Sequence, residues 1–157
     1  MGSNLADPVQ QVRRAREALA RLPDTRLHKC SHLYRTRPVG GVAQPDFINA
    51  VAGIVTGLSP EALFAALLEI EARAGRCRAR ETRWGPRTLD LDLLLFGDLA
   101  LRSGDLEIPH PRLGERAFVL APLAEVAGDW LLPTGQSVAA AWAQCPDRGA
   151  VERLADA

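Results

Sequence analysis

Thr88-Leu89-Asp90-Leu91-Asp92-Leu93-Leu94-Leu95-Phe96 reads as a buried strand, and the Gly97-Asp98 pair after it reads as a hairpin turn into Leu99–Leu101. Leu89, Leu91 and Leu93 alternate with Asp90 and Asp92, the period of two that gives a strand one apolar and one polar face. A two-residue turn of this kind joins antiparallel strands. Helical patterns flank the segment on both sides. The turn therefore decides for an α+β fold, an antiparallel sheet with helices packed on it, against a doubly wound parallel sheet.

Upstream, residues 8–22 are expected to be a helix, with Asp7 as cap, Pro8 in the first turn, and Val9, Val12, Ala15, Leu19 and Leu22 on one face. Residues 26–35 read as a strand. Thr36–Asp46, with Pro38, Gly40, Gly41 and Pro45, reads as a loop, and Phe47–Val55 as a second strand. Ser59 and Pro60 open a helix running to about Gly75, with Leu63, Leu67, Ile70 and Ala74 as its apolar face. Downstream, 106–109 is short and extended, and helices are expected near 118–126 and 137–144. Residues 145–157 read as a loosely held tail in which Val151–Leu154 can pack. The 157 residues suit a single domain.

Chemistry concentrates around the quoted strand. Two carboxylates two residues apart on a strand face the same way, with Cα atoms about 6.7 Å apart, and can grip hard cations. A lone Asp-x-Asp is equally a solvated acidic face. Here Arg83, Trp84 and Arg87 lead directly into it, a setting suited to a Mg²⁺–nucleotide site. Arg76, Arg78, Arg80, Arg83 and Arg87 place five guanidiniums within twelve residues. Solvent or a polyphosphate has to separate such charges, and the segment is a candidate lid over the metal site. His110, between Pro109 and Pro111, sits on a stiff extended backbone that suits either an aimed imidazole or a structural one. Phe47 and Phe118 read as plain core by themselves, and Gly40-Gly41 as a simple turn.

The bulk properties narrow the classes. Net charge is zero, which argues against wholesale binding of nucleic acid or an acidic membrane surface. Cys30, Cys77 and Cys145 are odd in number and widely spaced, as free thiols in a reducing cytosol are. No apolar run approaches the length of a membrane span. The sequence contains no GxxxxGK[ST] phosphate loop, no G-x-S-x-G elbow and no HExxH.

Five motifs then occur in order: Y-R-T-x-P at 34–38, Q-P-D-F-I-N at 44–49, I-E-x-x-x-G-R at 70–76, R-W-G-P-R-T-L-D-L-D at 83–92, and I-P-H-P at 108–111. Together they resemble the 6-hydroxymethyl-7,8-dihydropterin pyrophosphokinases of folate biosynthesis, over almost the whole chain to about Trp142. The resemblance implies a ferredoxin-like sandwich and transfer of the β,γ-pyrophosphoryl group of ATP to the pterin's hydroxymethyl oxygen, with AMP left behind; the small chain is compatible with a monomer and the cysteines with the cytoplasm. It implies that Asp90 and Asp92 hold Mg²⁺, and that Arg76 and Arg87 face the charge that develops in transfer. It places Glu71, Arg78, Arg83, Trp84, Leu93, His110 and Arg116 on the ATP side. Thr36, Val39, Phe47, Asn49 and Phe118 fall on the pterin side, the two phenylalanines stacking on the ring. The small molecules ATP and pterin are thus the expected partners, with no nucleic acid and no membrane.

Four departures from the pattern stand out. Leu68 replaces a glutamine one turn before Glu71. Asp105 stands where a basic residue occurs near ATP. The Arg loop is one residue longer, a difference that loop closure makes negligible. Finally, the family pattern places a short apolar strand before Gly2-Ser3-Asn4, whereas here Met1 abuts Gly2, so the first strand is expected to be missing and the natural start to lie upstream. The alternative readings are a truncated or degenerate pterin- or nucleotide-binding module without turnover, and one part of a larger folate enzyme.

Overall fold

The computed structural model describes residues 1–38, 41, 43–80 and 85–155, with Arg80 described for its main chain only. Among them are four α-helices: α1 (Pro8–Ala20), α2 (Pro60–Arg73), α3 (Ala117–Ala127) and α4 (Val138–Gln144). The strands are β1 (Gly2–Ser3), β2 (Thr25–Cys30), β3 (Tyr34–Thr36), β4 (Phe47–Asn49), β5 (Ala52–Thr56), β6 (Leu101–Ser103), β7 (Leu106–Ile108) and β8 (Val151–Arg153). All the strand pairs are antiparallel, and the fold is α+β.

Local chemistry explains the helix ends. Asp7 accepts from Gln10 N–H, Ser59 from Ala62 N–H and Ser137 from Ala140 N–H, so each of these three helices has one of its free N-terminal donors satisfied. Pro8 and Pro60 occupy first-turn positions where a missing N–H costs nothing. Gly75, at φ +85°, takes the left-handed conformation past the end of α2.

The main sheet runs β1–β4–β3–β8. Asp90 lies on the free side of β1, exchanging both main-chain hydrogen bonds with Gly2, at 2.8 and 2.7 Å. Gly2–Ser3 thus forms a two-residue strand between β4 and Asp90. A second sheet pairs β2 with β5, and a third pairs β6 with β7.

Several expected elements are divided or moved. Residues 26–35 and 47–55 each break into two strands belonging to different sheets. The break is made by Ser31, whose Oγ accepts from Val51 N–H while its own N–H donates to Val51 O, both at 2.9 Å. Residues 88–96 form no continuous ladder, because β1 offers partners only around Gly2. Beyond Asp90 the segment is held by other means: Leu91 N–H donates to the Glu71 carboxylate, and Leu94 O accepts from His110 N–H. The hairpin lies at Gly104, not Gly97. Gly97 does make a turn, with Leu99 N–H bonded to Phe96 O, but only around Gly104 do the flanking residues fall into register, Leu101 opposite Ile108. Helix α1 stops at Ala20, short of the pre-proline residue Leu22. The C-terminal segment, expected to be loosely held, supplies β8 and pairs with β3.

The alternation in 88–96 orders the core. Leu89 and Leu91 are buried with Ala15 and Leu19 of α1 and Leu63 and Leu67 of α2, and Phe96 packs against this cluster. Each such leucine is worth about 1.5–3 kcal/mol. On the other side, Leu120 and Leu123 of α3 pack with Val138 and Ala141 of α4. Helix α3 is fastened to the sheet by Glu125. Its carboxylate accepts from Tyr34 O–H at 2.5 Å and His32 N–H at 2.8 Å, and Arg153 of β8 lies 3.7 Å away.

Desolvation would raise the Glu125 carboxyl, but the Tyr34 and His32 hydrogen bonds outweigh it and hold it below its ordinary value of 4.5. The Tyr34 phenol is pushed up to about 12, first by desolvation and then by its bond to Glu125. A carboxyl lowered in the folded state contributes stability that is complete above the unfolded value and disappears as pH falls through the folded one. Tyr34→Phe is expected to cost about 1–3 kcal/mol at pH 7 in chemical denaturation. The gap to the unsubstituted protein should narrow as the pH drops below 4.5. A gap that stays constant over that range would show that Glu125 is not the partner that matters.

Candidate active site

Residues directly opposite one another on paired strands share a face, as do residues two apart on one strand. Thr36 lies opposite Phe47, Asn49 opposite Gly2, and Gly2 opposite Asp90. Register alone thus brings Thr36, Phe47, Asn49, Gly2, Asp90 and Asp92 to one face. They line a cavity of about 370 Å³, together with Arg37, Gly85, Arg87, Arg112, Arg116 and Phe118. That volume lies within the range of small-molecule sites.

One half of the cavity is aromatic and neutral. Phe47 comes from β4 and Phe118 from the first turn of α3. Between them, Asn49 Nδ2 donates to Thr36 Oγ1 at 2.9 Å in a buried bond, which orients the carboxamide. A Cβ on Gly2 would fall 2.8 Å from Asn49 Oδ1, so the absence of a side chain there sets how closely the carboxamide approaches β1.

The other half is charged. Glu71, only 1% exposed, reaches across from α2. Its Oε1 accepts from Leu91 N–H at 2.7 Å and Arg76 Nη1 at 2.8 Å. Its Oε2 accepts from Arg78 Nε at 3.0 Å and Nη2 at 2.7 Å. Arg76, with a side chain 4% exposed, also donates to Leu89 O at 3.2 Å and Asp90 Oδ1 at 2.5 Å. Arg87 donates to Asp90 Oδ2 at 2.8 Å. The result is a chain of alternating charge from Glu71 through Arg76 and Asp90 to Arg87. Desolvation would raise the Asp90 carboxyl, but Arg76 and Arg87 outweigh it and hold it below the usual carboxylate range. Burial raises Glu71, against the pull of Leu91 N–H and the two guanidiniums. Arg116 is lowered by burial and by the neighbouring Arg112. Its guanidinium carbon lies 5.5 Å from the centre of the Phe118 ring, close to the junction of the two halves.

Of the residues singled out in the sequence, Thr36, Phe47, Asn49, Arg87, Asp90, Asp92, Arg116 and Phe118 meet at the cavity. Arg76, Glu71 and Arg78 stand behind its wall and act on it through Asp90 and Leu91. The Leu93 side chain, expected on the ATP side, packs with the α1–α2 core instead, because it continues the apolar face of Leu89 and Leu91. His110 lies at the margin, Nε2 3.9 Å from Asp92 Oδ1, with Nδ1 accepting from Arg112 N–H at 3.2 Å. Val39, Arg83 and Trp84 lie outside the described residues. Sequence reasoning missed Arg37 and Arg112 as lining residues. Each directly follows a recognised motif residue, Thr36 or Pro111, and that adjacency was the available signal.

Two polar atoms help to say what the cavity accepts. Arg87 Nε and Thr88 Oγ1 are buried without a hydrogen-bond partner among the described residues. A buried guanidinium N–H that lacks an acceptor is costly unless an anion arrives, and Arg87 lines the cavity. Four arginines and two aspartates around one space suit an anionic ligand whose charge a cation partly offsets. Among the described residues no group of three or more His, Cys, Asp or Glu is arranged to hold a metal. Two carboxylates nonetheless suit Mg²⁺, which takes oxygen ligands and retains water and phosphate oxygens.

Comparison with known proteins adds a family. Residues 1–128 match the model of the 7,8-dihydro-6-hydroxymethylpterin-pyrophosphokinase family. A 2-amino-4-hydroxy-6-hydroxymethyldihydropteridine pyrophosphokinase from Pseudomonas aeruginosa is 49% identical over 98% of this chain and 93% of its own. Proteins of the same name from Haemophilus influenzae and Synechocystis are 46% and 43% identical, over 88% and 85% of this chain and 85% and 67% of theirs.

Two substitutions probe the walls. Glu71→Ala leaves Leu91 N–H and a buried guanidinium short of an acceptor and is expected to cost about 3–5 kcal/mol in urea unfolding. Gly2→Ala is expected to weaken binding in the neutral half at least tenfold by displacing Asn49, about 1.4 kcal/mol. Titration of pterin fluorescence measures the second, and unchanged affinity would show that the Gly2–Asn49 approach is not limiting.

Proposed function

The chain belongs to the 7,8-dihydro-6-hydroxymethylpterin-pyrophosphokinase family, and we propose that the cavity on its sheet face is the site where that chemistry takes place. It is a pyrophosphokinase of folate biosynthesis, transferring pyrophosphate from ATP to the hydroxymethyl group of 6-hydroxymethyl-7,8-dihydropterin. The observation that carries the site assignment is the junction of two unlike halves in one cavity. An aromatic pair with an oriented carboxamide adjoins a carboxylate pair with arginines.

In this reading the pterin ring stacks between Phe47 and Phe118, where an aromatic sandwich supplies affinity without charge. Asn49 reads its amide edge, and a buried hydrogen bond of that kind discriminates strongly against rings that lack the partner. The hydroxymethyl group then points toward the charged half. Its oxygen attacks the β-phosphorus of ATP, the bond from that phosphorus to the α,β-bridging oxygen breaks, AMP departs with that oxygen, and the hydroxyl proton is released. No protein nucleophile is required. The protein contributes position and charge stabilisation.

Asp90 and Asp92 are the residues that would hold Mg²⁺. When bound, the ion neutralises phosphate oxygens and makes the phosphoryl group more electrophilic. Arg87, with its unmatched Nε, and Arg116 face the phosphates. Arg76 serves from behind by fixing Asp90 between two guanidiniums, and Glu71 in turn fixes Arg76 and Arg78. His110 lies close enough to Asp92 to join the phosphate side. The antiparallel strand pairing with helices packed on the sheet supports the ferredoxin-like description. Unpaired cysteines support a reducing cytoplasm, zero net charge supports small-molecule partners over nucleic acid, and the small chain is compatible with a monomer.

Incubation with MgATP and the hydroxymethyl dihydropterin should yield AMP and the pterin diphosphate in equal amounts. ADP in place of AMP would overturn the reaction assignment. Asp92→Ala is expected to lower kcat by about 100-fold or more, and chelation of Mg²⁺ should stop turnover until the ion is restored. A near-normal rate in Asp92→Ala would remove that carboxylate from the site.

A further inference from the structure

Asn4 lies outside the cavity lining, yet it touches both walls. It is 2% exposed. Its Oδ1 accepts from Arg87 N–H at 2.8 Å, and its own N–H donates to Arg87 O at 3.1 Å. Its Nδ2 donates to Gln44 Oε1 at 2.9 Å and to Pro45 O at 3.0 Å. Pro45 lies two residues before Phe47, the aromatic wall on β4, while Arg87 carries the guanidinium that holds Asp90. A single carboxamide therefore spans the neutral and the charged halves, using its acceptor on one and both donors on the other. A buried carboxamide satisfied on both sides has one allowed orientation, because flipping it would set oxygen against oxygen and N–H against N–H.

We propose that Asn4 is a positioning residue that sets the spacing between the pterin wall and Arg87, and so between the pterin's hydroxymethyl group and the phosphates it attacks. The role rests on the site assignment above. Positioning of this kind matters because the reacting atoms must be held within a few tenths of an ångström of attack geometry. It also explains why the carboxamide is buried beside the cavity but presents no polar atom to it.

The chemistry separates its two halves. Asn4→Asp keeps the acceptor for Arg87 N–H but replaces the donors with an oxygen facing Gln44 Oε1 and Pro45 O. It is expected to raise the KM for the pterin about tenfold, the equivalent of roughly one hydrogen bond, while kcat stays within about threefold. Asn4→Ala loses both sides, and kcat should fall a further tenfold or more. Gln44→Ala should raise the pterin KM alone, which provides a test should Asn4→Ala fail to fold. Assays belong well below each variant's melting temperature, so that a residue serving only stability would lower the melt and leave kcat and KM unchanged. That result, or identical kinetics for Asn4→Asp and Asn4→Ala, would overturn the proposal. Unsubstituted protein that forms no AMP in the same assay would instead sink the site assignment itself. Normal AMP formation with unaltered variants would sink the role of Asn4 alone.

Discussion

The pairing of Gly2 on both its edges is the constraint on which the site depends. On one side it exchanges two hydrogen bonds with Asp90, and on the other it lies opposite Asn49. Because side chains alternate strictly along a strand, this one residue fixes which face Asp90, Asp92, Phe47 and Thr36 present. A slip of one position would send the aspartates into the core between α1 and α2 and bring Leu89 and Leu91 into the cavity. Burial of those leucines therefore does more than stabilise the sheet. It makes the register that assembles the site the only one without a large penalty.

The charged half follows a second principle. Glu71, Arg76, Asp90 and Arg87 alternate in sign along a connected path, so that each buried charge has its counter-charge in place. Desolvating such groups singly would be prohibitive, whereas a fully satisfied network holds its members in fixed orientations. The path also substitutes for missing sheet. Where the segment after Asp90 has no strand to pair with, the Glu71 carboxylate takes the Leu91 N–H that a ladder would otherwise occupy.

Much of this was visible in the sequence. The Leu–Asp alternation at 88–93 identified the apolar and functional faces, and the serine, aspartate and proline caps located two helix starts. What the sequence concealed was governed by long-range partners. Phe47–Val55 has uniform strand character, and only the Ser31–Val51 contact, twenty residues apart, shows why it divides. Gly97 and Gly104 are both plausible turns, and the choice depends on pairing register, which turn chemistry does not encode. Eight of the sixteen residues singled out for the site meet at the cavity. Of the described residues that do not, Glu71, Arg76 and Arg78 come from the motif at 70–76 and just beyond it, and their long side chains can reach either the cavity or the wall behind it. The sequence motif records that they are needed but not on which side of Asp90 they work.

The glycine between β4 and Asp90 has a further consequence. Part of the cavity wall is bare main chain, and selection can alter main chain only by altering the fold. Any replacement at position 2 introduces a Cβ against Asn49 Oδ1, so a compound resting on that surface meets a part of the enzyme that cannot be retuned one side chain at a time. Mutational escape would have to arise at the aromatic walls, where each change also alters the enzyme's grip on its own substrate.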